Sequence, residues 1–126
     1  MGAELLEFGE QQADYRSLKA EITFPVLGPV SDDAPFKAVL FNENLTSCAF
    51  CHASEFQQET ELGVRQFASV SLRPIVQNDV PRSLLENELK NCNFSSEPFR
   101  CALLDGLFSW GPVTDWDFPS GMATFP

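Results

Sequence analysis

Residues 67–91 read FASVSLRPIVQNDVPRSLLENELKN, and within them the spacing of apolar side chains changes. Residues 67–72 alternate apolar and polar and stop before Pro74, which predicts a β-strand with one buried face. From Pro81 to about Asn91 three leucines recur at the spacing of one helical face, which predicts an amphipathic helix. The two periods in one short stretch predict a mixed α+β fold.

A second helix is predicted directly after the first. Ser96 can cap it, its apolar residues keep the helical spacing as far as Trp110, and Gly111 ends it. Asp79 can cap the first helix, because its side chain precedes the proline where that helix starts. The tail from residue 113 onward contains proline, glycine and aromatic residues, and is expected to be irregular.

The N-terminal half is predicted to contain two strands. Residues 20–27 alternate until Pro25 interrupts them, which favours an edge strand. Residues 36–42 predict a second, more buried strand, and the two would form a hairpin with a long loop. Residues 1–19 are interpreted as a flexible lead-in. With short strands on both sides of its cysteine motif and two helices in the C-terminal half, the chain of 126 residues is expected to form one domain, residues 1–126.

Charge and residue counts exclude several classes of function. Eight basic against 18 acidic residues give a net charge of −10, which argues against binding to nucleic acid or to an anionic membrane surface. No apolar run approaches the roughly 18 residues of a membrane span. The chain has four cysteines but a single histidine. Sites that need two histidines, such as Cys2His2 zinc or bis-His haem, are therefore excluded.

The motif that carries chemistry is Cys48-Ala49-Phe50-Cys51-His52, a C-x-x-C-H string on a predicted short helix over residues 48–56 that Ser47 would cap. Two thiols at this spacing can form thioethers with the two vinyl groups on one edge of a porphyrin, and the following imidazole can bind its iron. A zinc half-site and a disulfide are the alternatives at this spacing.

Residues 44–55, NLTSCAFCHASE, resemble c-type cytochrome sequence. The resemblance covers this segment and a distal methionine. It implies one covalent haem c per chain, tethered by Cys48 and Cys51 and ligated by His52. The implied function is one-electron transfer in the periplasm or another extracytoplasmic compartment, by a carrier rather than a catalyst.

Met122 is the expected distal ligand, because it is the only methionine apart from Met1 and it lies in a Pro- and Gly-containing segment. Packing in the core is the alternative role for its side chain. Other candidates for the sixth position are water and the side chains of Tyr15, Lys19, Lys37 and Lys90. The aromatic residues expected to wall the haem are Phe50, Phe56, Trp110 and Trp116, and the arginines available to its propionates are Arg65, Arg73, Arg82 and Arg100.

Cys92 and Cys101 lie nine residues apart in the predicted helical pair, where a disulfide would staple the two helices. Disulfides persist in the compartments where haem c is attached, so the two interpretations agree. The alternative is a zinc site that uses all four cysteines as thiolates.

The expected partner is a redox protein with a basic docking face, which the acidic surface would steer by charge. Glu55, Glu59 and Glu61 are interpreted as part of that solvated surface. No basic start followed by an apolar stretch is visible, so either the protein is cytosolic or an export signal was removed before residue 1, and the haem c interpretation favours the second. The competing function is a small exported module, with or without zinc, that binds another protein and has no redox role.

Overall fold

A computed structural model describes residues 4–60 and 63–125 of the chain. Four strands form an antiparallel sheet in the order β1-β2-β4-β3. Their bounds are Glu4–Gln11 for β1, Arg16–Phe24 for β2, Phe56–Glu59 for β3 and Arg65–Val70 for β4. Together with its helices the sheet makes a small mixed domain, so the predicted α+β class is confirmed.

The N-terminal hairpin is β1–β2, and not the predicted hairpin of residues 20–27 and 36–42. Most of the proposed lead-in is therefore ordered strand, with residues 1–3 outside the described part. The turn takes left-handed φ angles at Asp14 (58°) and Tyr15 (54°). A bulky side chain such as Tyr15 rarely adopts this backbone region without tertiary support.

Strand β2 lies inside the sheet, between β1 and β4, so its prediction as an edge strand is wrong. The strand begins at Arg16 and ends at Phe24, and Pro25 therefore follows it instead of interrupting it. A proline beyond the last paired residue removes no hydrogen bond from the sheet. Sequence periodicity placed the start of this strand too late.

Residues 36–42 do not form the predicted strand. Ala34–Ala38 form a short helix, α1, with a proline in its first turn, where the missing N–H costs no hydrogen bond. The next residue, Val39, is almost completely buried. A short apolar run of this kind is compatible with either a buried strand or a helix, and the helix packs its Phe36 over Leu18 and Ala20 of β2.

The cysteine motif begins on a single 3-10 turn, Ser47–Phe50, instead of a helix that reaches Phe56. Thr46, and not Ser47, caps this turn. Phe56 already begins β3, so part of the stretch interpreted as solvated loop pairs with β4. Of that stretch, Glu61 lies outside the described residues.

The two predicted C-terminal helices are present, α2 at Arg82–Lys90 and α3 at Pro98–Phe108. Neither predicted cap is used, because the cap positions are Pro81 and Glu97 and neither makes a side-chain cap hydrogen bond. The predicted strand over residues 67–72 is divided between β4 and a two-residue strand. That strand, β5 (Leu72–Arg73), pairs in parallel with β6 (Ala123–Thr124), and a 3-10 turn at Val76–Asn78 precedes α2.

Helix α3 is linked to the end of α2 by a disulfide and also packs against the sheet. Cys101 in α3 is fully buried and is bonded to Cys92, just beyond the end of α2, as the sequence favoured. A Cβ added at Gly106 would lie 3.0 Å from the ring of Phe24, so this helix approaches β2 closely. Among the described residues, no helix is long and apolar enough to cross a bilayer.

The buried side chains form a small core along β2 and β4. Its apolar members are Leu18, Ala20, Val39, Phe67, Ala68, Cys101, Leu104 and Met122. Four polar residues are also buried, namely Lys19, Thr46, Ser69 and Ser71. Burying a polar group costs free energy unless it has a hydrogen-bond partner. The part of the core around these four residues therefore depends on hydrogen bonds as well as on packing.

Replacing both Cys92 and Cys101 by serine is expected to lower the free energy of unfolding by about 2.5–3 kcal/mol, because the bond closes a short loop in the unfolded chain. Urea unfolding of the double variant and of the wild-type chain measures the difference. The control is Cys51→Ser, which changes an exposed thiol outside the disulfide. An equal loss of stability in the control would contradict the assignment.

Candidate functional site

The loop that carries the cysteines is closed by the carboxylate of Glu55. The buried backbone N–H of Thr46 donates to Glu55 Oε1 (2.6 Å), and the Thr46 hydroxyl donates to Oε2 (2.6 Å). Thr46 Oγ1 in turn accepts from the N–H of Cys48 (3.2 Å). Glu55 is therefore a structural residue, and its interpretation as part of a solvated face is wrong.

The two motif cysteines are free thiols, three residues apart on one turn of backbone. The N–H of Cys51 donates to the carbonyl of Cys48 (3.1 Å), and that of His52 donates to the same oxygen (2.8 Å). Side chains at this spacing lie on the same side of a 3-10 turn. Cys51 is exposed and Cys48 is half-buried, so a reagent reaches Cys51 more easily.

Burial raises the pKa of the Cys48 thiol above its usual range, and the nearby carboxylates of Glu7 and Glu55 add to the effect. A hydrogen bond with Thr46 and the charge of Lys19 oppose the shift. A catalytic thiol needs a lowered pKa to supply thiolate at neutral pH. Cys48 therefore does not have the environment of a nucleophilic or disulfide-exchanging cysteine.

The imidazole of His52 is oriented by the end of β4. Its Nδ1 lies 2.8 Å from the carbonyl oxygen of Val70, and the N–H of Val70 bonds back to the carbonyl of Ala53 (3.0 Å). A carbonyl only accepts, so this contact requires the proton on Nδ1. The lone pair is then on Nε2, which is the arrangement that a metal-binding histidine uses.

His52 and Met122 line one cavity of about 360 Å³. Trp116 and Phe118 form an aromatic wall of this cavity, with their ring centroids 5.9 Å apart. Lys19 also lines it. We call this space the His–Met cavity. Two of the residues that the sequence assigned to the iron are thus brought to the same space, although they are 70 positions apart in the chain.

Met122 reaches the cavity because the C-terminal segment returns to the sheet. Its side chain is only 4% exposed, and its carbonyl accepts a hydrogen bond from Arg73 Nε (3.1 Å). Arg73 belongs to β5 and Met122 directly precedes β6, and these two strands pair with each other. A Cβ at Gly121 would lie 2.7 Å from the hydroxyl of Tyr15, so the segment packs tightly against the β1–β2 turn.

The other side chains considered as the sixth ligand of a haem iron lie in different parts of the structure. Lys19 is buried and lines the His–Met cavity. The hydroxyl of Tyr15 lies close to Gly121. Lys37 pairs with Asp33, which precedes α1, and Lys90 is the last residue of α2. Only Lys19 and Met122 among these candidates therefore share a cavity with His52.

The expected aromatic walls are only partly correct. Phe50 is 70% exposed and stacks edge-on with Phe41, at 5.1 Å between centroids. Phe56 lies under the guanidinium of Arg16. Trp110 is 86% exposed, whereas Trp116 lines the cavity. Sequence proximity to the motif did not identify the aromatic residues that the fold brings to His52.

Of the four arginines considered for propionates, Arg73 shares a cavity with a residue of the motif. It shares a second cavity of about 290 Å³ with His52 and Glu7. The other three have partners elsewhere. Arg65 bonds the carbonyl of Glu43, Arg82 pairs with Glu86 and Asp115, and Arg100 pairs with Glu88 and Glu97.

The four-cysteine zinc site does not form, because Cys92 and Cys101 are bonded to each other. Within residues 4–60 and 63–125, no three side chains of the His, Cys, Asp and Glu types gather as a metal site. A haem iron needs fewer protein ligands, since the porphyrin supplies its equatorial nitrogens. His52 and Met122, which line one cavity, are the side chains that the sequence proposed as such ligands.

Glu55→Ala is expected to destabilise the chain by about 1–3 kcal/mol, because it leaves the buried Thr46 N–H without an acceptor. Urea unfolding measures the loss, and amide hydrogen exchange at Thr46 and Cys48 locates it. Glu43→Ala is the matched control, since it removes an exposed glutamate of the same loop. Equal effects of the two variants would show that the Glu55 contact is unimportant.

In the haem-free chain, iodoacetamide is expected to modify Cys51 before Cys48 at about pH 8, because Cys48 is half-buried and its pKa is raised. Reaction at Cys48 should speed up as the pH rises further and more thiolate forms. Peptide mapping by mass spectrometry follows both sites. In urea the two rates should converge, and a faster Cys48 in the folded chain would contradict this description of the turn.

No protein-family model, curated protein or solved structure matches this chain. Support for a function therefore comes from the residues of the motif, the hydrogen bonds that orient them and the cavity beside them.

Proposed function

We propose that the chain is a monohaem c-type cytochrome-like domain that transfers one electron in an extracytoplasmic compartment. In this proposal Cys48 and Cys51 tether one haem c, His52 binds its iron and Met122 is the distal ligand. The observation that carries the proposal is that His52 and Met122 line one cavity, and that His52 directly follows two free C-x-x-C thiols in the chain.

The thiols suit covalent attachment. They are unpaired, lie on one side of a single turn, and are held at their spacing by the Thr46 cap and the Glu55 carboxylate. Each thiol would add across one vinyl group, so that a carbon–sulfur bond replaces the S–H bond and the proton goes to the neighbouring vinyl carbon. The exposure of Cys51 leaves room for a maturation enzyme to reach the turn.

The axial residues suit an electron carrier. The hydrogen bond from Nδ1 of His52 to Val70 leaves Nε2 available, and Met122 offers a soft thioether from a buried side chain. The haem group supplies a one-electron Fe(II)/Fe(III) couple. Two protein ligands leave neither face of the ring open to a substrate, which favours electron transfer over catalysis.

Two further features support the compartment and the partner. The Cys92–Cys101 disulfide is of the type that persists outside the cytoplasm, where haem c is attached. The net charge of −10 suits a redox partner with a basic docking face. Association with such a partner would slow as salt screens the attraction.

A second candidate is an interaction module without haem. The accessible surface is 8863 Å², against about 6,700 Å² for a compact protein of this mass. Several large apolar side chains contribute to it, including Leu27, the stacked pair Phe41 and Phe50, and Trp110. Exposed apolar surface of this kind is often buried against a partner protein.

Expression of the full chain with an export signal and the haem c maturation machinery separates the two candidates. The matured chain is expected to gain the mass of one haem, to stain for haem after denaturing electrophoresis and to give a c-type haemochrome spectrum. Met122→Leu should keep the covalent haem and change the spectrum from six-coordinate to five-coordinate iron, because leucine has no ligand atom.

Cys48→Ala with Cys51→Ala should abolish covalent staining, while Cys92→Ser with Cys101→Ser is the matched control and should keep it. Matured wild-type chain with the mass of the bare polypeptide would reject the haem proposal and leave the interaction module.

A further inference from the structure

A buried ammonium group lies in the wall of the His–Met cavity. Lys19 is only 8% exposed, and its Nζ donates to the neutral hydroxyl of Ser17 (2.6 Å). Among the described residues, no carboxylate comes within ion-pair distance of it. A lysine this buried normally has an anionic partner, because leaving a charge unpaired in the interior is costly.

The nearest carboxylate is already engaged elsewhere. Glu55 is close enough to attract the charge of Lys19, but both of its oxygens bind Thr46. Burial lowers the pKa of Lys19, with Cys48 and Glu55 only opposing this shift. The lowered pKa is what a lysine shows when no close anion compensates its desolvation.

The cavity around Lys19 is otherwise neutral. No carboxylate is among its lining residues, and Trp116 and Phe118 supply its apolar surface. Gly9 faces Lys19 across the β1–β2 pair and also lines the cavity. A Cβ at Gly9 would lie 2.5 Å from the carbonyl oxygen of Leu18, so this position stays without a side chain and leaves space beside the lysine.

The β2–β4 pair beside Lys19 contains one further buried polar side chain. Ser69 is fully buried, and its hydroxyl has no hydrogen-bond partner among the described residues. Ser69 pairs with Ser17 across β2 and β4, so both side chains lie on one face of the sheet. Polar groups that are buried without partners indicate a place where a polar ligand or water completes the structure.

We propose that the His–Met cavity binds an amphiphile with a flat apolar body and a carboxylate, and that Lys19 binds this carboxylate. The aromatic wall receives the apolar body, and the ammonium group receives the charge. If the occupant is the haem, the carboxylate is one of its propionates, and to that extent the inference rests on the proposed function. A free apolar carboxylate has the same chemistry and is the other source.

Binding of metal-free protoporphyrin IX and of its dimethyl ester to the full haem-free chain tests this inference without iron ligation or covalent attachment. Quenching of Trp116 fluorescence reports binding in a Trp110→Phe background, because Trp110 is the other, exposed tryptophan. The free acid is expected to bind about tenfold or more tightly than the ester, since a charged hydrogen bond is lost with the ester. Equal affinities in the wild-type chain would overturn the proposal.

Variants of the chain then test whether Lys19 causes the preference for the free acid over the ester. Lys19→Met should abolish it and Lys19→Arg should retain it, while Lys37→Met, which removes an exposed lysine of α1, is the matched control. Circular dichroism and thermal unfolding check that each variant folds. A Lys19→Met chain that folds and still prefers the acid would contradict the role of Lys19.

Dodecanoate and dodecanol form the second pair of probes. Tight binding of dodecanoate that Lys19→Met abolishes supports a free carboxylate as the source, and preference confined to the porphyrin acid supports a propionate. The two proposals fail separately. A matured chain without haem that still selects the porphyrin acid through Lys19 would reject the haem function and keep the anion site.

Discussion

The contact between the Glu55 carboxylate and Thr46 is the constraint on which the motif depends. Thr46 is completely buried, and without this carboxylate its N–H and its hydroxyl proton would both lack an acceptor. The contact closes the loop at its base, and Thr46 then caps the turn Ser47–Phe50 by accepting from the N–H of Cys48. This turn places His52 next to the end of β4, where its Nδ1 bonds the carbonyl oxygen of Val70. The spacing of the motif is local, but its shape is held by a residue outside it.

The cavity beside the motif is assembled from four parts of the chain, one of which is the pair Ser71 and Leu72 that follows β4. The N-terminal hairpin contributes Lys19, the motif contributes His52, and the final segment contributes Met122. That segment is held by the short β5–β6 pair and by the hydrogen bond from Arg73. Because the position of Met122 depends on long-range pairing, loosening of the C-terminal segment would alter the His–Met cavity before it altered the four-stranded sheet.

The fold was predictable where the signal is local. Helices α2 and α3 carry apolar stripes over two or more turns, and their positions followed from the spacing alone. The stretch over residues 36–42 is too short for a period, and Pro35, interpreted as part of a loop, in fact lies in the first turn of α1. The interior position of β2 was missed, because strand order depends on which strands meet in space and leaves no trace in the alternation of one segment.

The sequence by itself determined the C-x-x-C-H string, the single histidine, the one methionine besides Met1 and the spacing that favours the Cys92–Cys101 bond. Only the tertiary structure decided that Lys19 is buried without a close anion and that Glu55 is a structural acceptor. It also decided that Trp116, and not Phe50, lines the cavity with His52. Motif spacing is a property of neighbouring residues along the chain, whereas burial and hydrogen-bond partners depend on segments up to a hundred residues apart, which meet only when the chain folds.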